Sequence, residues 1–163
     1  MTLMSVSYLF PPEDVENLLA IAAAPNAEKT KRNTKAIGDV SELEVALALA
    51  RSGYIVSKPL GDSHRYDLII DDGETLSRVQ VKTGRLNLGS IRVSCCSSHR
   101  HRGGTSRSYR GQIEFIGVFC PQTGDSYLVP ESEIVDTFMH LRVAPTVNRQ
   151  DRHIRWASRY KLA

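Results

Sequence analysis

Residues 65 to 83 read RYDLIIDDGETLSRVQVKT, two strand-like runs joined by a turn, with polar residues where an ordinary strand does not need them. Asp67 opens the apolar run Leu68-Ile69-Ile70, and the second run alternates Arg78, Gln80 and Lys82 with Val79 and Val81. Successive side chains of a strand point to opposite faces, so Arg78, Gln80 and Lys82 share one face. If solvated, that face is the outer surface of a half-buried strand and has no further meaning. If turned toward Asp67, it makes an acid–amide–amine cluster. Upstream, Glu42 stands four residues after Gly38, and Glu44 two further on. Such a set suits phosphodiester hydrolysis, in which a divalent cation neutralises phosphate charge and lowers the pKa of the attacking water. Mg²⁺ prefers hard oxygen ligands, and these would be the Asp67 carboxylate, the Gln80 amide oxygen and the Val81 backbone carbonyl. Lys82, on the face of Gln80, would orient or help deprotonate the water and stabilise developing charge.

The elements that must position these groups follow from punctuation and periodicity. A short helix is expected over 13–24, after Pro11-Pro12 and before Pro25. A basic connector follows, then a helix over 37–54 with Leu43, Ala46, Leu47 and Ala50 as its apolar stripe and Gly53 as its stop. A strand at 54–57, a turn through Pro59-Leu60-Gly61, the two strands quoted above and a strand at 90–96 come next. Residues 97–111 have no apolar periodicity and read as an exposed loop. QIEFIGVFC (112–120) is expected to be a central strand and DSYLVP (125–130) a short one. ESEIVDTF reads as one or two helical turns, and 141–163 as an irregular tail anchored by Trp156. Helices followed by strands with a late helical insert give an α/β fold with a mixed sheet. The division expected is an N-terminal helical extension, 1–34, and a main domain, 35–163.

A length of 163 residues, with 41% hydrophobic and 24% charged residues, fits one domain with a proper core. No apolar run approaches the roughly 20 residues of a membrane-spanning helix, and the start is a poor signal peptide. Three cysteines without paired or CxxC spacing fit a reducing, cytoplasmic setting, with Cys95 and Cys96 as small strand residues. The net charge of +3 matters less than its distribution. Fifteen of the 21 basic residues are Arg, and 84–111 holds six of them, two His and no acid. Such runs favour a polyanionic partner, which Arg contacts bidentately. Arg85, Arg92, His99, Arg100, His101, Arg102, Arg107 and Arg110 are the residues expected to make phosphate or base contacts with such a partner. No Walker A loop, HExxH or GxSxG occurs, so nucleotide hydrolysis, zinc proteolysis and serine esterase chemistry have no support.

The string GDVSELEVALALARSGYIVSKPLGDSHRYDLII, followed by RVQVKT, resembles the PD-(D/E)XK nuclease superfamily in the variant where Gln replaces the usual acid. The branch it is most similar to is that of group I intron homing endonucleases. There a comparable frame continues through an Arg/His/Gly loop, a strand like IEFIGVFCP, and YLVP. The likeness covers roughly residues 35 to 158. Tyr66 stands where the motif usually has Pro. The resemblance implies a restriction-endonuclease-like core, a mixed β-sheet flanked by helices. It implies Asp67, Gln80 and Lys82 as catalytic, with Glu42 as a supporting ligand or water-orienting group. It also implies Mg²⁺ dependence with Mn²⁺ as a substitute, double-stranded DNA as partner, and assembly into dimers or tetramers. Two alternatives stay open at this level, a Holliday junction resolvase and a catalytically silent DNA-binding module on the nuclease scaffold.

Overall fold

In the computed structural model the residues described are 33–61, 63–97, 107–135, 137–145 and 152–163. The helix expected over 13–24 lies outside them. Helix α1, Thr34–Arg51, begins where Asn33 accepts a hydrogen bond from the Ala36 amide at 3.2 Å, an N-cap that satisfies one otherwise orphaned donor. It ends before Gly53, whose φ of +94° suits glycine. The apolar stripe differs from the one expected. Ser41, Val45 and Leu49 face the sheet, whereas Leu43 and Leu47 are 71% and 46% exposed and Ala50 is exposed as well. Two apolar rows run along this helix, and the sheet takes the row that contains a serine. Ser41 is fully buried because Thr83, at the end of a central strand, lies 2.6 Å away, oxygen to oxygen.

The strands are β1 (Ile55–Ser57), β2 (Leu68–Asp71), β3 (Leu76–Thr83), β4 (Arg85–Asn87), β5 (Ser90–Ser94), β6 (Cys96–Ser97), β7 (Arg107–Ser108), β8 (Phe115–Cys120), β9 (Asp125–Pro130) and β10 (Phe138–Arg142). The main sheet has the order β1-β2-β3-β8-β9 and is mixed: β3 and β8 run parallel, their neighbours antiparallel. Each face of it carries its own core. Val79, Val81 and Phe119 pack with Val45 and Leu49 of α1. Gly117 permits that approach, since a Cβ there would meet Val45 Cγ1 at 2.7 Å. The opposite face, with Ile116, Val118, Tyr127 and Val129, packs against Ile91 and Val93 of β5 and Met139 and Leu141 of β10. The fold is therefore α/β around a mixed five-stranded sheet, as the sequence implies.

Three local expectations need correction. The ESEIVDTF segment is a single 3-10 turn, Glu131–Glu133, and its last residue already starts β10. The tail is not irregular from 141, because β10 continues to Arg142 and pairs with β5. Trp156 is only half-buried, and its backbone bridges to Arg142. The 97–111 loop carries the short hairpin strands β6 and β7 at its ends, paired through Cys96–Ser108 and Ser97–Arg107.

Candidate active site

Asp67 directly precedes β2, and its amide donates to the Val79 carbonyl at 2.9 Å, which puts the carboxylate beside the polar face of β3. Asp67 Oδ2 accepts from the Val81 amide at 2.7 Å and from Gln80 Nε2. The middle rung of the ladder, Gln80, does turn toward the acid. Gln80 is 7% exposed, a burial that an amide tolerates only with partners. Its second contact is the Val81 carbonyl, at 3.3 Å from Nε2. The amide N–H group thus bridges Asp67 and the Val81 carbonyl, two of the three oxygens expected to hold a cation. Turning the amide over exchanges Nε2 for Oε1 without changing its shape, which presents the oxygen instead.

Glu42 and Asp67 line one cleft of about 520 Å³, together with Gly38, Asp39, Lys58, His64 and Tyr66. Glu44 faces a different groove, beside Arg51 and Lys161. The serine contact that docks α1 on Thr83 therefore aims Glu42, the next residue, into the cleft. Lys58 donates to Glu42 Oε2 at 2.7 Å, and this contact pulls the lysine pKa up. Burial pushes the Asp67 carboxyl above its ordinary value of 3.8; the Val81 amide opposes the shift, Glu42 adds to it, and Lys82 and Lys58 work against it. Two lysines thus leave the carboxylate undercompensated, which favours an added cation.

Lys82 reaches across to Tyr109. Its Nζ donates to the phenolic oxygen at 2.8 Å and stands 4.8 Å from the ring centroid. Tyr109 is 3% exposed, and the Arg65 guanidinium lies over its ring at 4.5 Å. Arg65 in turn donates to Gln112 Oε1 (2.6 Å), Ser97 Oγ (2.8 Å) and the Ser108 carbonyl (2.9 Å), locking the β6–β7 hairpin against the segment that leads into β2. Sequence reasoning missed Lys58, Arg65 and Tyr109; all three sit in stretches without periodicity.

Arg78, the third rung, is not available to a ligand in the same way. It forms a bidentate pair with Glu114, at 2.6 and 3.1 Å, and its amide donates to the same carboxylate. Of the residues expected to touch DNA, Arg85, Arg92, Arg107 and Arg110 are exposed. The Arg110 guanidinium donates to the Ile134 carbonyl at 2.7 and 3.2 Å. His99, Arg100, His101 and Arg102 lie outside the described residues. A second groove shares His64 and Tyr66 with the cleft and is lined by Arg65, Arg78 and Arg107, which extends positive charge from the carboxylates outward.

The donor set fits a hard divalent cation: two carboxylates with an amide and a carbonyl oxygen. Among the described residues no three His, Cys, Asp or Glu side chains form a metal cluster.

A mixed sheet with one helix laid on it, a Glu and an Asp in one cleft, and that Asp in contact with the Gln of a Gln-x-Lys pair, fit a nuclease of the restriction-endonuclease-like class. The chain belongs to the PD-(D/E)XK endonuclease family, whose model matches residues 32–163. Among solved structures it is similar to that of a bacterial homing endonuclease, I-Ssp6803I, with 25% identity and a TM-score of 0.66 over 79% of this chain and 88% of that one. No curated protein matches the chain.

Proposed function

We propose that the protein is a metal-dependent endonuclease that hydrolyses phosphodiester bonds of double-stranded DNA at specific sites, in the manner of a homing enzyme. The observation that carries this reading is Asp67, which lines one cleft with Glu42 while its carboxylate accepts from Gln80 and from the Val81 amide. Asp67, Gln80 and the Val81 carbonyl hold Mg²⁺ or Mn²⁺, and Glu42 supports the site as ligand or water-orienting group. The ion, when bound, neutralises phosphate charge and lowers the pKa of a bound water. Lys82 places its ammonium, steadied by Tyr109, against charge that develops on the phosphate. The nuclease domain runs from about residue 35 to the end of the sequence given. Cutting both strands calls for two such sites, so a symmetric dimer or tetramer is the expected working form. Its place is the cytoplasm, which suits three free cysteines, and no described helix is long and apolar enough to cross a membrane.

The test is incubation of the protein with a randomised duplex library and, in parallel, a four-way junction, in Mg²⁺ and in excess chelator, followed by sequencing of new ends. Ends at one recurring sequence, in Mg²⁺ only, are the expected result. Cutting confined to four-way junctions would instead make it a resolvase, and binding without cutting would make it a silent module.

A further inference from the structure

The three-stranded sheet β4-β5-β10 buries one face in the core and leaves the other outside. Its register aligns Arg85 with Arg92, and Arg92 with His140, so three basic residues stand in one row across three strands. Like charges directly opposite one another destabilise a sheet. The next row along that face runs Asn87, Ser90, Arg142. A cleft of about 730 Å³ lies over this face, and its ten lining residues include Arg92, Arg142, Arg152 and Arg155, two histidines and no acid. Arg155 is paired with Glu133 at 3.1 Å. Arg142 donates to the carbonyls of Ala144 (2.6 Å), Leu88 (3.2 Å) and Pro145 (3.0 Å), contacts that aim the guanidinium without neutralising it. Arg92 lies 3.7 Å over the Phe138 ring, which steadies it in the same way.

The cleft also contains both described non-glycine residues with positive φ, Leu88 at 46° and His153 at 60°. Leu88 is the tip of the β4–β5 hairpin and is 88% exposed. A leucine in a left-handed turn position that favours Asn or Gly, with its side chain in water, is unfavourable twice over. Strain and like-charge crowding kept together on one surface point to a function that uses them.

We propose that this face is a DNA-docking surface, in which Arg85, Arg92, His140, Arg142 and Arg152 grip the phosphates of one duplex flank while Leu88 is set against the groove. The inference rests on the nuclease reading above and deepens it. The hairpin is rigidly placed for the task. It leaves β3 through Gly84, whose amide donates to the Phe119 carbonyl at 2.7 Å and where a Cβ would meet Ile91 Cγ2 at 2.5 Å. Leu88 is six residues beyond Lys82, so at most about 20 Å separates the backbone positions, or about six base pairs of duplex. A two-stranded ribbon of this kind fits a DNA groove.

The experiment measures binding of the full chain to a fluorescent duplex by anisotropy, in chelator and over a range of salt, alongside melting temperatures. Phosphate contacts do not depend on sequence, so any duplex of about 30 base pairs serves. The Arg92→Gln/Arg152→Gln double variant should lose about 1.8 from the slope of log K against log salt, at 0.9 per contact. Arg85→Glu should raise the melting temperature, because it turns a like-charge pair into an opposite one, yet weaken binding at least about tenfold (roughly 1.4 kcal/mol). Leu88→Asn should also melt no lower than the parent while binding about threefold or more weakly. An unchanged slope in the double variant, or unchanged affinity in Arg85→Glu, overturns the docking face and leaves the nuclease reading standing. Failure of the parent protein to bind duplex at any salt overturns both.

Discussion

Gln80→Glu puts a second carboxylate where an amide now donates to Asp67, and the metal-free protein should resist it. Two carboxylate oxygens about 3 Å apart at an effective dielectric near 20 repel by roughly 5 kcal/mol. The protein has a less costly option, which is to keep one proton on the pair. Holding a carboxyl with an ordinary pKa of about 4.3 protonated at pH 7 costs about 3.7 kcal/mol, at 1.36 per unit. That figure caps the loss. At pH 5.5 the cap falls to about 1.6 kcal/mol by the same arithmetic. For a unit of about 130 residues, these values correspond to drops in melting temperature of roughly 10–15 °C at pH 7 and 5–8 °C at pH 5.5. A bound dication removes the repulsion, so Mg²⁺ should raise the melting temperature of the variant far more than that of the parent. Thermal melts of both proteins, in chelator and in Mg²⁺ at the two pH values, give the answer. Equal melting of parent and variant in chelator, with equal Mg²⁺ shifts, would refute the placement of Gln80 in the cation site.

Tyr109→Phe keeps the ring under Arg65 but removes the acceptor for Lys82; single-turnover cleavage should slow about tenfold (1.4 kcal/mol) with duplex affinity unchanged, and an unchanged rate would make the tyrosine mere packing. The Asp67 carboxyl is held above 3.8, so the metal-free native state binds that proton more tightly than the unfolded chain does. Ionised Asp67 therefore costs stability above its raised pKa, and the cost is gone below pH 3.8. Asp67→Asn should accordingly raise the melting temperature in chelator at pH 7, lose that advantage toward pH 4, and show no Mg²⁺ shift; a lower melting point at pH 7 would count against the electrostatics. Gly117→Ala meets Val45 at 2.7 Å and Val79 at 3.2 Å, and should cost about 1–3 kcal/mol in chemical unfolding, with no loss reading as a helix free to shift.

Much of the site is written in a strand alternation. Asp67, Gln80 and Lys82 could be placed because a period of two depends only on local backbone, and the β2–β3 turn brings them into register within a few residues. Resemblance favours Glu42 over Glu44; the structure puts Glu42 in the cleft with Asp67, and the Ser41–Thr83 contact that docks the helix spans 42 residues. The same contact explains why the helix stripe was misread: α1 has a row of larger apolar residues, Leu43 and Leu47, and only the tertiary partner reveals that the row with Ser41 turns inward. β10 was hidden by the acidic, helix-like ESEIVD before it, although Met139 and Leu141 alternate with His140 and Arg142 as a half-buried strand should. Tyr109 and Arg65 carry no periodic signal at all, since an aromatic within an Arg/Ser stretch reads as surface until a strand 27 residues upstream supplies its lysine.

Lys82, held by Tyr109, is proposed to serve the chemical step rather than the grip on DNA. The most direct test compares single-turnover cleavage with duplex affinity for Lys82→Ala and the parent, in Mg²⁺ and at saturating protein. Cleavage should fall by at least about a hundredfold (roughly 2.7 kcal/mol) while the dissociation constant moves only a few-fold, because an interaction made in the transition state leaves ground-state binding nearly untouched. Equal losses in rate and affinity, or undiminished cleavage, would contradict it.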